Sequence, residues 1–351
     1  MTTARVLDTQ RLSTLANAYE REIVRFLRDL VAIPAESCHD DPVIQRIRQE
    51  MEKVGFDEIR VDAMGNILGR IGSGKTVVMM DAHRDTVGVG DLREWAWDPY
   101  QGKVEDGYVY GRGACDPHAG MAGMVYAGKL IHELGMCGDC TLWVTGSAQK
   151  LHILKEGGIR PDCLLIAGPT SLRIYRGQRG RVELEDADPI DKMPCLVREV
   201  EQLDHRLRQD SLPGKGSIAV TEIRSEPGLR SVNPQRGGTA GESREGAEIQ
   251  RYPVEKYYPT RVLDESHPLV QAAIATYEAL FELPPVIGKW TSSTSGVGSM
   301  GLMGVPVIGF GPGDEEVAHG VGERVPIRHL VKAAQFYAAF PMMFADTVTR
   351  R

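Results

Sequence analysis

The chain has 351 residues, of which 42% are hydrophobic and 25% are charged, and these are the proportions of an ordinary globular protein. They exclude a disordered tail, a collagen-like repeat and a coiled-coil rod. With 41 basic and 48 acidic residues the formal net charge is −7. The chain therefore lacks the basic surface that phosphate backbones require, and we expect no nucleic acid partner. At about 150 residues per domain, the length predicts about two domains.

Six cysteines are too few and too irregularly spaced for a disulfide framework. Cys137-Gly-Asp-Cys140 has no second CxxC pair to complete a zinc site, which favours a turn over a redox motif. No run of 18 apolar residues is present, and the polar start Met1–Arg5 leads into no secretory apolar region. We therefore expect a cytoplasmic protein without a membrane partner.

The first half of the chain alternates helical and strand patterns. Apolar residues at helical spacing predict one long helix over residues 9–31. A second helix begins at Asp41-Pro42, where aspartate suits the N-cap and proline the first turn, and it ends at Gly55. The alternation predicts an α/β fold with a mostly parallel sheet and helices on both faces. The other predicted elements are strands at Glu58–Val61, Asn66–Arg70, Thr76–Asp81, Thr141–Thr145 and Cys163–Ala167, and a helix at Pro117–Leu134.

The pattern changes after Arg181, where apolar runs become sparse and charges multiply. Residues Arg230–Gln250 are typical of a loop or flexible segment. We predict one α/β domain, formed by residues 1–181 and 255–351, interrupted by a small segment at 182–254. Within that segment the patterns predict a helix near Asp191–Gln209 and a strand at Ser217–Ile223, and after it a helix near His267–Phe281, a strand at Pro306–Phe310 and a helix at His329–Phe344.

A histidine and an aspartate, His83 and Asp85, follow the predicted buried strand at Thr76–Asp81. In open α/β sheets ligands bind outside the carboxyl ends of the strands. A ligating histidine usually donates its other ring N–H to an oxygen acceptor. His83 therefore suits a metal ligand with Asp85 as its neighbour, although a solvent-facing loop histidine fits the same pattern.

Two glycine-rich loops carry further candidates. The loop Gly111–Met121 contains Asp116, which is either the N-cap of the helix starting at Pro117 or a carboxylate directed at a metal. The second loop follows the predicted strand Pro306–Phe310 and reaches a lone histidine, His319. Each loop taken alone suits a structural role.

Taken together and in this order, the motifs resemble the zinc aminoacylase–carboxypeptidase family, which includes acetylornithine deacetylase and succinyl-diaminopimelate desuccinylase. The chain is most similar to the branch of selenium metabolism-linked hydrolases. The resemblance covers roughly residues 9–181 and 255–345. It is carried by His83-x-Asp85-x-Val87, by GRGACD ending at Asp116, by Ala318-His319, and by the segments Ile159–Asp162, Pro169–Leu172, Tyr175–Gly180 and Lys289–Thr294.

The resemblance implies a zinc exopeptidase-like catalytic domain with an inserted α+β lid that also dimerises. In that family two zinc ions share an aspartate, and a glutamate activates the water that attacks an amide carbonyl. By resemblance, His83 binds one metal, His319 binds the other, Asp116 bridges them, and Asp85 hydrogen-bonds His83. The resemblance also predicts a cis peptide bond between Asp116 and Pro117, the kind of bond for which cis costs least.

The chain departs from the family where catalysis needs acids. The strand ending near Thr145 runs into Gly146-Ser-Ala-Gln-Lys150, without the expected pair of glutamates, and Gly168 stands where a carboxylate is expected before Pro169. Three carboxylates are thus missing by resemblance. An ammonium group at Lys150 would either repel a cation or replace part of the positive charge of a missing metal. Glu156, Glu315 and Glu316 are the nearest acids in sequence, and surface solvation explains them better than a role in the site.

The segment after Arg181 is also shorter than the lid of the family. The lid motif with glycine and histidine is absent, His205 on a charged stretch is a poor substitute, and the strands expected after Ser231–Gln235 are replaced by a linker rich in Gly, Glu and Arg. The truncated lid argues against a homodimer and predicts unpaired sheet edges.

Two functions therefore remain open. The first is a metal-dependent hydrolase of amide or peptide bonds in small N-acyl amino acids or dipeptides, with one zinc ion or none retained and Co²⁺ as an alternative metal. The second is a catalytically inactive relative, a pseudoenzyme or binding protein that retains the fold. A nucleotide-binding fold is disfavoured because Gly111-Arg-Gly113 lacks the GxGxxG spacing.

Overall fold

The computed structural model describes residues 7–36, 41–136, 138–147, 153–154, 158–178, 181–182, 209–210, 214–215, 240–245, 248–253, 257–258, 261–291, 294, 299–300 and 303–349. The helices among them are α1 (Thr9–Ala18), α2 (Glu20–Val31), α3 (Asp41–Val54), α4 (His118–Leu134), α5 (Pro268–Phe281) and α6 (Ile327–Thr349). The strands are β1 (Glu58–Val61), β2 (Ile67–Ile71), β3 (Thr76–Ala82), β4 (Lys103–Glu105), β5 (Tyr108–Tyr110), β6 (Cys140–Gly146), β7 (Cys163–Ile166), β8 (Ile174–Gln178), β9 (Arg181–Val182), β10 (Gln209–Asp210), β11 (Gly214–Lys215), β12 (Ala240–Glu245), β13 (Glu248–Pro253), β14 (Tyr257–Tyr258), β15 (Arg261–Val262), β16 (Ile287–Trp290), β17 (Val307–Gly309) and β18 (Arg324–Pro326).

The central sheet has the strand order β1-β2-β6-β3-β7-β17-β8-β15, and β16 pairs with β8. The pairs β6–β3, β3–β7, β7–β17 and β16–β8 are parallel. The pairs β1–β2, β2–β6, β17–β8 and β8–β15 are antiparallel. The parallel pairs join β6, β3, β7 and β17 at the centre of the sheet, and the antiparallel pairs flank them, which confirms the predicted α/β fold with a mostly parallel central sheet.

Successive side chains of the buried strands point to opposite faces of the sheet, where they pack into two hydrophobic cores. On β3, Val78 and Met80 join the larger core, whereas Met79 joins the smaller one. Each of the helices α1 to α6 places buried residues in the larger core. The smaller core is covered by Ile153 and Leu154, which lie in a short helical piece.

Helix α4 is buried along almost its whole length and lies directly on the sheet. A Cβ atom at Gly120 would come within 2.0 Å of the carbonyl oxygen of Ala167. Only glycine allows the start of α4 to lie this close to the residue that follows β7. This contact positions the loop before α4 beside the carboxyl ends of the parallel strands.

The helix predicted over residues 9–31 is interrupted at Tyr19, so it forms α1 and α2 instead of one helix. The Tyr19 hydroxyl donates to the carboxylate of Glu133 in α4, with a separation of 2.6 Å. Because this partner is more than a hundred residues away, apolar periodicity could not reveal the break. The last helix, α6, extends from Ile327 to Thr349, beyond the predicted His329–Phe344.

The prediction of a loop over Arg230–Gln250 is wrong for its second half. Strands β12 and β13 form an antiparallel hairpin that pairs Ala240 with Pro253 and Glu245 with Glu248. These strands are polar and lack the β-branched alternation that marks a strand in sequence, so only backbone pairing identifies them. The expectation that a linker replaces the strands of the lid is wrong for the same residues, because β12 and β13 are strands. The predicted helix at Asp191–Gln209 and the strand at Ser217–Ile223 lie outside the described residues, apart from Gln209 in β10, and the domain boundaries remain a prediction.

At the CxxC segment, Gly138 and Asp139 form a turn before Cys140 begins β6, while Cys137 lies outside the described residues. Within the described part of the chain, no helix combines the length and the apolar character needed to cross a membrane.

Candidate metal centre

The candidate residues lie where the parallel strands end. His83 directly follows β3, and Asp116 lies in the loop that precedes α4. His319 lies in the loop that connects β17 to β18. The carboxyl ends of parallel strands form the ligand-binding edge of an open α/β sheet. The fold therefore brings residues separated by more than two hundred positions to one edge.

Asp116 contacts both candidate histidines, one with each carboxylate oxygen. Its Oδ1 lies 3.1 Å from His83 Nε2, and its Oδ2 lies 3.2 Å from His319 Nε2. The Asp116 side chain is only 14% exposed, whereas those of His83 and His319 are 44% and 55% exposed. The arrangement is thus a carboxylate in the middle with an imidazole on each side, open to solvent.

The link between His83 and Asp85 runs mainly through the backbone. His83 Nδ1 lies 2.8 Å from the carbonyl oxygen of Asp85, and the carboxylate oxygen is farther away at 3.4 Å. Because a carbonyl can only accept, Nδ1 carries a proton in this contact. Asp85 thus contacts His83 as expected, with its carbonyl oxygen as the nearer group.

Opposite charges dominate the electrostatics of the centre. Burial alone would raise the pKa of Asp116, but the charge of His83 and hydrogen bonds from His319 and His83 outweigh it and hold that pKa well below its usual range. Burial would lower the pKa of His83, yet the Asp116 carboxylate and contacts with Asp85 raise it well above the usual value. Each group therefore favours the charged form of the other.

The interpretation of Asp116 as a helix cap is wrong. The N-cap position of α4 belongs to Pro117, and no side chain caps it. The carboxylate of Asp116 is directed at the two histidines instead. The peptide bond between Asp116 and Pro117 is cis, which confirms that prediction.

Two charged residues that the sequence reasoning passed over hold the Asp116 loop. Glu323 is fully buried, and its Oε2 lies 2.6 Å from Arg112 Nη1. Its other oxygen accepts the backbone N–H groups of Cys115 and Asp116, each at 3.0 Å. Burial raises the pKa of Glu323, while these donors and Arg112 oppose the shift. A charged residue between the glycines of Gly111-Arg-Gly113 was the only available signal for Arg112.

His118 is a third residue near the centre that the sequence did not mark. Its side chain is 1% exposed, and within the described structure neither ring nitrogen has a hydrogen-bond partner. Burial, together with the charge of His83, lowers the pKa of His118 to about 3. The ring is therefore neutral, and it packs so close to Gly113 that a Cβ there would lie 2.6 Å from His118 Cδ2.

The positions where acids are expected carry none among the described residues. Ser147 follows β6, and Lys150 and Glu156 lie outside the described part of the chain. Gly168 follows β7, and a Cβ atom there would have its nearest neighbours at 3.8 and 3.9 Å, which is ordinary contact. A Cβ atom would therefore meet no clash at Gly168, so the close packing of the backbone does not require glycine. Glu315 accepts the hydroxyl of Thr291 at 2.6 Å, outside the His–Asp–His arrangement.

The donor set fits part of a two-metal centre. Two ligands of one tetrahedral zinc ion, a histidine nitrogen and a carboxylate oxygen, lie about 3.3 Å apart, close to the 3.1 and 3.2 Å seen here. Each Asp116 oxygen pairs with a different histidine, so the two pairs do not form one common set of three ligands. Accordingly, in the described ranges no group of three or more His, Cys, Asp or Glu side chains could hold one ion. Each pair thus supplies two ligands, one fewer than the usual three of a catalytic zinc site.

Comparisons with known proteins identify the family of the chain. The profile of peptidase family M20/M25/M40 matches residues 79–343. The chain belongs to this family. The Escherichia coli (strain K12) protein YgeY, which is uncharacterized, is 41% identical over 95% of this chain and 96% of its own length. That comparison spans 389 positions, 38 more than the 351 residues here, so at least that many positions have no counterpart in this chain.

Two other M20-type comparisons are more distant. A probable succinyl-diaminopimelate desuccinylase of Staphylococcus epidermidis is 27% identical over 57% of this chain and 49% of its own length. The crystal structure of Bacillus subtilis YXEP, a dinuclear metal-binding peptidase of the M20 family, superposes with a TM-score of 0.63 at 14% identity. That superposition covers 94% of this chain and 99% of that one, and at this identity it shows the fold alone. The M20 family consists of hydrolases of peptide and amide bonds.

Proposed function

We propose that the chain is a metal-dependent hydrolase that cleaves amide bonds in small N-acyl amino acids or dipeptides. The observation that carries the proposal is the position of Asp116, with one carboxylate oxygen beside His83 and the other beside His319. Membership of a hydrolase family supplies the bond type. The selenium metabolism-linked branch, zinc as the metal and a cytoplasmic location are parts of the same proposal.

In this proposal His83, Asp116 and His319 hold the metal, and the Asp85 carbonyl orients the His83 ring. Because Nδ1 of His83 donates to that carbonyl, Nε2 is the nitrogen left for a ligand role. A bound divalent ion would polarise the amide carbonyl and lower the pKa of water. The Asp116 carboxylate lies between the two histidines. Its negative charge favours a cation beside His83 and beside His319.

The rate of this hydrolase should be low. Lys150, Leu151 and Gly168 stand where the family's three carboxylates are expected by resemblance, so none of these positions carries a carboxylate general base. Loss of a general base typically costs about 10²–10⁴-fold in rate. We therefore expect hydrolysis far slower than that of a relative with an acid at these positions.

A second function, a binding protein without turnover, is favoured by one observation. A Cβ atom at Gly168 would make only ordinary contacts, so a backbone clash does not explain the glycine. A chain that has lost an acid without a structural reason can retain the fold and lose the chemistry. Metal binding and substrate hydrolysis must therefore be measured separately.

The test is zinc affinity, measured by competition with a chromophoric chelator, followed by hydrolysis of N-acetyl amino acids and dipeptides by the zinc-loaded protein. Asp116→Asn should weaken zinc binding by about 10–100-fold or more, because it removes charge from both pairs. Asp91→Asn is the control, since Asp91 is an exposed carboxylate that pairs with Arg93. Gly168→Asp, which adds an acid where space exists, should strengthen zinc binding.

Three results separate the alternatives. Zinc binding that depends on Asp116, together with slow hydrolysis, supports the hydrolase. Zinc binding without any hydrolysis supports the binding protein. Equal zinc affinity of the wild type and Asp116→Asn would refute the assigned centre.

A further inference from the structure

A buried ion pair connects the two loops that carry Asp116 and His319. Arg112 lies four residues before Asp116, and Glu323 lies four residues after His319. Their side chains are 3% and 0% exposed, and Arg112 Nη1 lies 2.6 Å from Glu323 Oε2. The backbone N–H of Gly111 also donates to the Glu323 carbonyl at 3.0 Å. The two loops are therefore joined by side-chain and main-chain contacts.

Glu323 acts on the backbone of the bridging aspartate. Its Oε1 accepts from the N–H groups of Cys115 and Asp116 at 3.0 Å each. Hydrogen bonds from backbone N–H groups to a carboxylate are charge-assisted and stronger than neutral ones. The carboxylate thus fixes the peptide from which the Asp116 side chain projects.

Arg112 acts on the backbone of His319. Its Nη2 donates to the His319 carbonyl oxygen at 3.2 Å. His319 has a φ of 66°, a left-handed conformation that is costly for a residue with a side chain and persists only when its surroundings hold it. The Arg112 guanidinium lies 5.1 Å from the centre of the Trp95 ring, which further restricts its orientation.

We propose that Arg112 and Glu323 are a positioning pair that sets the separation between the His319 imidazole and the Asp116 carboxylate. One guanidinium holds the His319 carbonyl while its carboxylate partner holds the Asp116 amide. The two metal-ligand candidates are thereby fixed relative to each other without either member touching the metal. The part of this inference that concerns metal rests on the proposed function.

A purely structural pair would behave differently. Glu50 offers a matched comparison, because it is a carboxylate with 2% exposure that pairs with Arg46 and Lys53, and its partners lie on α3 and α4, away from the centre. Loss of Glu50 should affect folding alone, whereas loss of Glu323 should also change metal affinity. Thermal stability and zinc affinity therefore separate the two roles.

The experiment measures zinc affinity by chelator competition in the full-length wild type and in Glu323→Gln, Arg112→Lys and Glu50→Gln. Glu323→Gln should weaken zinc binding by about 10–100-fold, the usual effect of losing an outer partner of a ligand. Arg112→Lys keeps the charge but loses the planar fork that reaches both Glu323 and His319, so it should weaken binding by about 10-fold. Glu50→Gln should remain within about twofold of the wild type.

A metal-free readout accompanies the affinities. Crystal structures of Glu323→Gln and Arg112→Lys without metal should show the His319 Nε2 to Asp116 Oδ2 separation increased from 3.2 Å to beyond about 4 Å, the limit of an ion pair. If Glu323→Gln does not fold, the zinc affinity and the metal-free separation of Arg112→Lys decide the positioning role. An unchanged separation in the variants, or an unchanged zinc affinity where the wild type binds zinc, would overturn the positioning role.

Failure of the proposed function can be distinguished from failure of the positioning role. A wild type that binds no zinc refutes the proposed function, and the metal-free separation then decides the positioning role alone. A wild type that binds zinc with the same affinity as Glu323→Gln and Arg112→Lys keeps the proposed function and refutes the pair.

Discussion

Asp116 has two potential partners in sequence, the helix that follows it and a metal. In the structure its carboxylate contacts His83 and His319 and leaves the N-terminus of α4 without a side-chain cap. A cap typically contributes about 1 kcal/mol, so the chain forgoes a modest stabilisation and places the carboxylate between two imidazoles. The charge of each partner stabilises the other, as the lowered pKa of Asp116 and the raised pKa of His83 indicate.

A second prediction at the scale of single residues concerns Asp85. Because its carbonyl, at 2.8 Å, is the nearer acceptor for His83 Nδ1, Asp85→Asn keeps the main orienting contact. We expect zinc affinity to fall by less than about 10-fold, below the usual range for a lost outer partner, whereas Asp116→Asn falls further. Chelator competition on both variants measures the difference. A complete loss of zinc binding in Asp85→Asn would show that the carboxylate orients the ring.

At the scale of elements, the packing of α3 against α4 includes a buried acid. Glu50 of α3 accepts from Lys53 at 2.6 Å, from the Tyr126 hydroxyl of α4 at 2.7 Å, and from Arg46 at 2.7 Å. Burial would raise the pKa of Glu50, but these three partners lower it below the usual value. The carboxylate is thus more stable in its charged form in the folded protein than in the unfolded chain.

The lowered pKa of Glu50 makes the stability of the fold depend on pH. A carboxylate with a lowered folded pKa stabilises the protein above its unfolded pKa of about 4.3, and this contribution is lost as pH falls through the folded pKa. Glu50→Gln should therefore reduce the free energy of unfolding by about 1–3 kcal/mol near neutral pH. Urea unfolding of both proteins at neutral and acidic pH measures the difference, which should shrink below about pH 4. A difference that stays constant across this range would contradict an ionised role for Glu50.

At the scale of the whole molecule, the chain is shorter than its alignment with YgeY. It covers 96% of the length of YgeY, yet the alignment contains at least 38 positions without a counterpart here. By resemblance, the shortened part is the lid at residues 182–254, which in the family also dimerises. The hairpin of β12 and β13 is described in that segment, and the domain boundary around it remains a prediction.

The shortened lid predicts a monomer. A stable homodimer interface buries well over 1,000 Å², and the segment expected to supply it is reduced. Light scattering coupled to size-exclusion chromatography should give a mass near the 38.6 kDa of one chain. A mass near twice that value, independent of dilution, would show that another surface dimerises.

Local patterns predicted elements well where burial and periodicity agree. The strands around β3, the helix α3 with its Asp41 start and the helix α4 follow the expected positions within one or two residues. The short strands β8 and β16 were missed because they are short and mixed in polarity. They are parallel neighbours, and Trp290 of β16 packs edge-on against Tyr175 of β8 at 5.4 Å. Such pairing joins segments more than a hundred residues apart, which periodicity cannot detect.

The sequence by itself indicated the fold class and the family and marked His83, Asp116 and His319 as candidate site residues, because strand burial and short motifs are local properties of the chain. The tertiary structure alone decided that Asp116 faces both histidines, that the Asp85 carbonyl lies nearer to His83 than its carboxylate does, and that Arg112 and Glu323 join the two loops. These contacts depend on which strand ends meet at one edge of the sheet. They also depend on desolvation, which only the packed structure defines.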